Sequence, residues 1–100
     1  MIERQLECLA AGGINILPAT EISTHFVLEH NGFIVLVERS GDGFGRVGSA
    51  GLLTENGFAA LVWRGAQAFF VAKNFEQLAT EQHVSALRSF SQIVKNCIEG

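Results

Sequence analysis

The chain has 100 residues, a formal net charge of −3 and a charged fraction of only 17%, against about 25% in an ordinary soluble domain. One hundred residues is the size of one domain, 1–100, and excludes mechanisms that need two domains or a full doubly wound cofactor cleft. The seven Lys and Arg are never adjacent, which argues against nucleic acid as a partner.

Leu, Ile, Val and Phe together supply 33 residues, so global disorder is excluded. No apolar run reaches the roughly 18 residues that span a bilayer. The first residues, Met-Ile-Glu-Arg-Gln-Leu-Glu, lack the basic and apolar regions of a signal peptide. A cytoplasmic protein without a membrane partner is expected. In that compartment Cys8 and Cys97 are expected to be free, reduced thiols that pack as small hydrophobes.

Ile2, Leu6, Leu9 and Ala10 recur at helical spacing, and Gly12-Gly13 stops them, which predicts a short N-terminal helix. Residues 14–23 read as a connector with room for a short edge strand before Pro18. From 24 to 73 the period becomes two. Asn31-Gly32 and Asn56-Gly57 are two-residue hairpin signals, Arg64-Gly65 is a weaker one, and Ser40–Gly45 is a longer glycine loop. Five antiparallel strands follow, near 24–30, 33–39, 46–55, 58–63 and 66–73. Asn74 and Thr80 offer helix caps. From Glu81 to Glu99 the apolar stripe Val84, Leu87, Phe90, Val94, Cys97 predicts a long amphipathic helix. The fold class is therefore α+β: a five-stranded antiparallel meander, a short helix before it and a long helix packed on one face.

The hairpin turns set an expected register, with Leu52 opposite Leu61 and Leu61 opposite Ala68, and strand parity assigns the faces. One carries Phe26, Leu28, Phe33, Val35, Val37, Ala50, Leu52, Ala59, Leu61, Trp63, Ala66, Ala68 and Phe70, and the long helix is expected there. The other is mixed at its first-strand end, with His25, Glu29 and Glu38. It is apolar at its last-strand end, with Leu53, Phe58, Val62, Phe69 and Val71. The short N-terminal helix is expected to cover only part of that face; the rival reading is that this helix and residues 14–23 fold over it and leave a monomer. These five residues are the expected interface of a homodimer, formed through this face or the sheet edge beside it.

Three constellations compete with a purely structural reading. Gly43-Phe44-Gly45-Arg46-Val47-Gly48 matches G-x-G-x-x-G, but the chain continues as strand, so no helix N-terminus meets a pyrophosphate. Arg39 and Arg46 are expected to face each other and, with Gly41, Gly43 and Gly45, to frame a loop able to cup an anion. Phe44, at the tip of that loop, is a candidate contact anchor. His25 and Glu38 are expected opposite each other as a His–carboxylate pair. Ser49 lies one strand beyond the carboxylate, so the three cannot form a hydrolytic triad. No Cys, His or acidic spacing fits a metal site, and no cofactor is expected.

Three functional readings remain. The first is a non-catalytic, self-associating interaction module. The second is a small-molecule-binding domain, its unknown ligand held between sheet and C-terminal helix. The third is a small enzyme with an interface site around His25 and Glu38.

Overall fold

The computed structural model describes residues 2–17, 24–41, 43–55 and 57–99. The expectations for Pro18 and the rest of 18–23, for Asp42 and for Asn56 fall outside them. The element order is α1 (Ile2–Ala11), β1 (Asn15–Leu17), β2 (His25–His30), β3 (Phe33–Ser40), β4 (Gly43–Thr54), β5 (Gly57–Arg64), β6 (Gln67–Ala72), β7 (Phe75–Ala79) and α2 (Glu81–Glu99). The fold is α+β, with one antiparallel sheet in the order β1 to β7. Seven strands stand where five were expected. β1 is the short edge strand for which residues 14–17 left room. β7 occupies the stretch that reads as a helix cap.

Local chemistry sets the element ends. α1 stops because Gly13 takes a left-handed φ of 72°, which lets the Ile14 N–H donate to the Leu9 carbonyl at 3.0 Å. α2 starts at a reciprocal cap. The His83 N–H donates to Thr80 Oγ1 at 3.1 Å, and the Thr80 N–H donates to His83 Nδ1 at 3.2 Å. His83 thus fills the role that Glu or Gln takes in a capping box.

The turns set the register, and two of them correct the expected pairing. Asn31 and Gly32, with φ of 53° and 86°, close β2 onto β3 as expected, with His30 opposite Phe33. At the β4–β5 turn the closing pair is Thr54 and Gly57, so Leu52 faces Ala59 rather than Leu61. At the β5–β6 turn the closing pair is Arg64 and Gln67, so Leu61 faces Phe70 rather than Ala68. Gly65, with φ 62°, takes the first central position, as a type II′ turn requires. Both corrections shift the pairing by two residues, so face parity survives. Between β3 and β4 there are irregularities at Val35/Val37 and Val37/Arg39. They bring Val47 to the helix-covered face, opposite Val37 and against the core, instead of the outer face. At Gly51 a Cβ would overlap the Ala59 carbonyl of the next strand, so only glycine fits there.

α2 packs on the predicted face. Leu87, Phe90, Val94 and Ile98 are buried against Leu28, Val35, Val37, Ala59, Ala68 and Phe70. α1 lies beside α2 on that same face. Its Leu9 joins the core, and Gln5 Nε2 donates to the Ile98 carbonyl at 2.9 Å. The cysteines correct the sequence expectation. Cys8 and Cys97 form a disulfide across 89 residues, with Cα atoms 5.5 Å apart, and neither is a free thiol. The sheet returns the end of α2 to α1, so residues at opposite chain ends become neighbours. Cys8 is exposed rather than buried.

Two stability outcomes follow. Phe70 is fully buried, so Phe70→Ala should cost about 3–5 kcal/mol. The Cys8→Ser/Cys97→Ser pair should cost about 2–5 kcal/mol, because a long loop is freed in the unfolded chain. Urea unfolding under oxidising conditions measures both. A disulfide loss below about 0.5 kcal/mol would mean that α1 docking needs no covalent tie.

Candidate functional site

The outer sheet face, opposite both helices, collects the five expected interface residues. Leu53 pairs with Phe58 and Val62 with Phe69, while Val71 lies opposite Ala60. All five share the parity of Gly51 and Ala60, and among the described residues no helix covers that side. Leu53 is 50% exposed and Val62 38%, while Phe58, Phe69 and Val71 are half-buried. Register on β7 adds Leu78, which pairs with Phe69 and is 52% exposed. Sequence reasoning missed Leu78 because its strand was read as a cap. Toward β3 and β2 the same face is covered: Gly51, Ile34 and Val27 are buried, so the exposed patch is confined to the β4–β7 end. Arg64 bounds it at one end, pairing with Glu76 and placing its guanidinium 5.1 Å from the Phe69 ring centroid.

The polar end of this face is arranged around turns. His25 lies opposite Glu38 in the register. Its Nδ1, however, shares a 2.7 Å hydrogen bond with Thr24 Oγ1, and no ion pair links it to Glu38. His30 Nδ1 shares a 3.0 Å hydrogen bond with the Gly13 carbonyl, and Asn31 Nδ2 lies 3.2 Å from His30 Nε2. His83 belongs to the α2 cap. The three histidines of the chain are thus each engaged in local structure. Among the described residues no group of three or more His, Cys, Asp or Glu could hold a metal ion.

The glycine segment is not an open loop. Ser40 pairs with Gly43 and Arg39 with Phe44 rather than with Arg46. Gly43 and Gly45 are residues of β4, and only Gly41, with φ 58°, remains in the turn among the described positions. The Arg39 guanidinium stacks 4.1 Å from the Phe26 ring centroid. Phe44 packs on Phe26 at 4.8 Å and touches the core, so it is not a free anchor at a loop tip. Arg46 is exposed. The two arginines therefore do not bracket one cup of backbone N–H groups.

Trp63 departs from its expected place under the helix. It is 54% exposed and lines a groove of about 500 Å³ with Ala66, Gln67, Leu78, Val84 and Arg88. In the row Trp63, Ala68, Ala79 the two alanines are buried and only Trp63, on the side away from β7, is left exposed. Among the described residues no helix is long and apolar enough to cross a membrane. No protein-family model matches the chain, and no curated protein or solved structure does either.

Glu29 supplies a pH test of the outer face. Hydrogen bonds from Asn15 Nδ2 and the Gly32 N–H, each 2.9 Å, hold its carboxyl below the ordinary 4.5. A depressed carboxyl stabilises the fold at pH values above the unfolded-state pKa, and that contribution fades as pH falls through the lower folded value. Glu29→Gln should therefore flatten the loss of stability below about pH 4.5. Acid titrations followed by circular dichroism should show this, whereas parallel acid limbs would mean that Glu29 is not held.

Proposed function

We propose that this chain is a non-catalytic module that associates with a second copy of itself through the outer face of its sheet. The observation that carries the reading is the solvent exposure of Leu53 and Val62 on the side opposite both helices, continued by Leu78 at the β7 edge. Monomers rarely leave a contiguous apolar patch beyond a few hundred Å². A patch that meets its own copy across a two-fold axis closes with one surface serving both partners. The patch is poor in charge, and its ion pair Arg64–Glu76 sits at the border, as expected for an interface core and rim. The local engagement of all three histidines weighs against an enzyme site at His25 and Glu38. The exposed disulfide favours an oxidising compartment over the cytoplasm.

A second reading has its own support. The exposed Trp63 beside an open groove between sheet and α2 favours a small-molecule site there. The chain has one Trp, so its fluorescence reports ligand in that groove and is silent to ligand elsewhere.

Light scattering after size exclusion tests the first reading. Purified protein at micromolar concentration should give at least twice 10.8 kDa. Val62→Glu and Leu53→Glu should each weaken association by roughly 100-fold, since each buries an unpaired carboxylate. Gln92→Glu, on the exposed side of α2, should leave it unchanged. A mass of 10.8 kDa across a tenfold dilution series overturns the reading.

A further inference from the structure

We propose that the β7 edge is a second self-association surface, at which Phe75–Ala79 of two copies pair antiparallel about Gln77. This goes beyond the outer-face reading and uses different groups: backbone along the edge instead of side chains on the face. β7 is the last strand of the sheet, and Glu76, Gln77 and Leu78 are consecutively exposed. Its pairing with β6 closes at Ala72 and Phe75 around a two-residue turn with Asn74 at φ 60°. Antiparallel hydrogen bonding alternates from that closing pair. The backbone groups of Phe75, Gln77 and Ala79 therefore point to β6, and those of Glu76 and Leu78 point outward.

Edges meant to stay single are blunted by proline, lysine, a bulge or extreme shortness. β1, the opposite edge, has three residues. β7 has five, with neither Pro nor Lys and an unbroken register. Its one charge, Glu76, is paired with Arg64 of the same chain.

An open edge specifies an extended backbone, and the side chains then point to a second copy. A register centred on Glu76 sets two carboxylates directly opposite, which is destabilising. One centred on Leu78 drives the partner's Phe75 into the first residue of α2. The register centred on Gln77 pairs all five residues. It joins the outward groups of Glu76 and Leu78 to those of the partner's Leu78 and Glu76, and it sets the two Gln77 amides against each other. Continued to the strand ends, it brings Lys73 beside the partner's Glu81, twice by symmetry. Both residues are exposed and neither forms an ion pair among the described residues. Both copies' helices then lie on one side of a continuous sheet, and both outer faces on the other.

The test is run on the full chain carrying Val62→Glu, with Leu53→Glu as a second background, so that outer-face association is removed first. Light scattering should still find twice 10.8 kDa at high concentration. The Glu76 and Leu78 amides should gain exchange protection as concentration rises. Lys73→Glu or Glu81→Lys should each weaken this dimer by roughly tenfold, and the double swap should restore it to within about threefold. Gln77→Lys should weaken it by about tenfold, through like charges at the axis. A monomer in both backgrounds beside a dimeric parent overturns the edge proposal and leaves the outer-face reading standing. A dimer indifferent to Gln77→Lys and to Lys73→Glu also overturns it. A monomeric parent sinks both readings.

Discussion

The structure depends on one asymmetry: both helices are held on the same face of the sheet. α2 needs a sheet face to bury Leu87, Phe90, Val94 and Ile98, and the apolar row Leu28, Val35, Ala59, Phe70 supplies it. A second helix could have covered the other face, but the disulfide joins Cys8 of α1 to Cys97 near the end of α2. α1 is thereby committed to the occupied side, where Leu9 completes the core. Among the described residues the outer face receives no helix, although it carries Ala60, Phe69 and Val71. The composition carries the same asymmetry. A chain with 17% charged residues has too few charges to make a second sheet face polar.

Much of this was legible in the residues because strand parity is robust. The period of two survives a register error of two, so the faces were assigned correctly although the Leu52 and Leu61 partners were not. Val47 escaped for the complementary reason. Irregular pairing between β3 and β4 changes parity, and a count along the chain does not reveal where it falls. β7 escaped because Phe-Glu-Gln-Leu-Ala has two adjacent polar residues and follows an Asn with cap-like spacing. Pairing with β6, not intrinsic preference, makes it a strand. The disulfide escaped because an 89-residue separation is silent about proximity. Two cysteines pair only when the fold brings their Cα atoms within bridging range, and no local pattern states that.

The candidate site residues found other neighbours for a related reason. His25 and Glu38 were placed opposite each other, which the register shows, yet opposition in a sheet fixes Cα positions and not side-chain partners. Thr24 is nearer in sequence and takes the imidazole. The glycines were read as an open loop because glycine is common in loops. In the structure Gly43 and Gly45 extend a twelve-residue strand instead, and Arg39 turns back onto Phe26. An arginine stacked on an aromatic ring has part of its charge already engaged and makes a poorer anion clamp. Residue types that resemble a site were thus absorbed by nearer neighbours.

Among the described residues the fold leaves apolar surface and one strand edge open. Strands β4 to β7 contribute Leu53, Val62 and Leu78 outward, and the same Leu78 stands on an edge strand. The two proposed contacts are geometrically compatible. Edge pairing runs its two-fold axis perpendicular to the sheet, and face packing needs an axis lying parallel to it. Perpendicular two-folds generate a closed dihedral assembly instead of an open fibre, provided both close on the same copies. Closure matters here, because an exposed edge beside exposed leucine and valine is otherwise a template for uncontrolled growth.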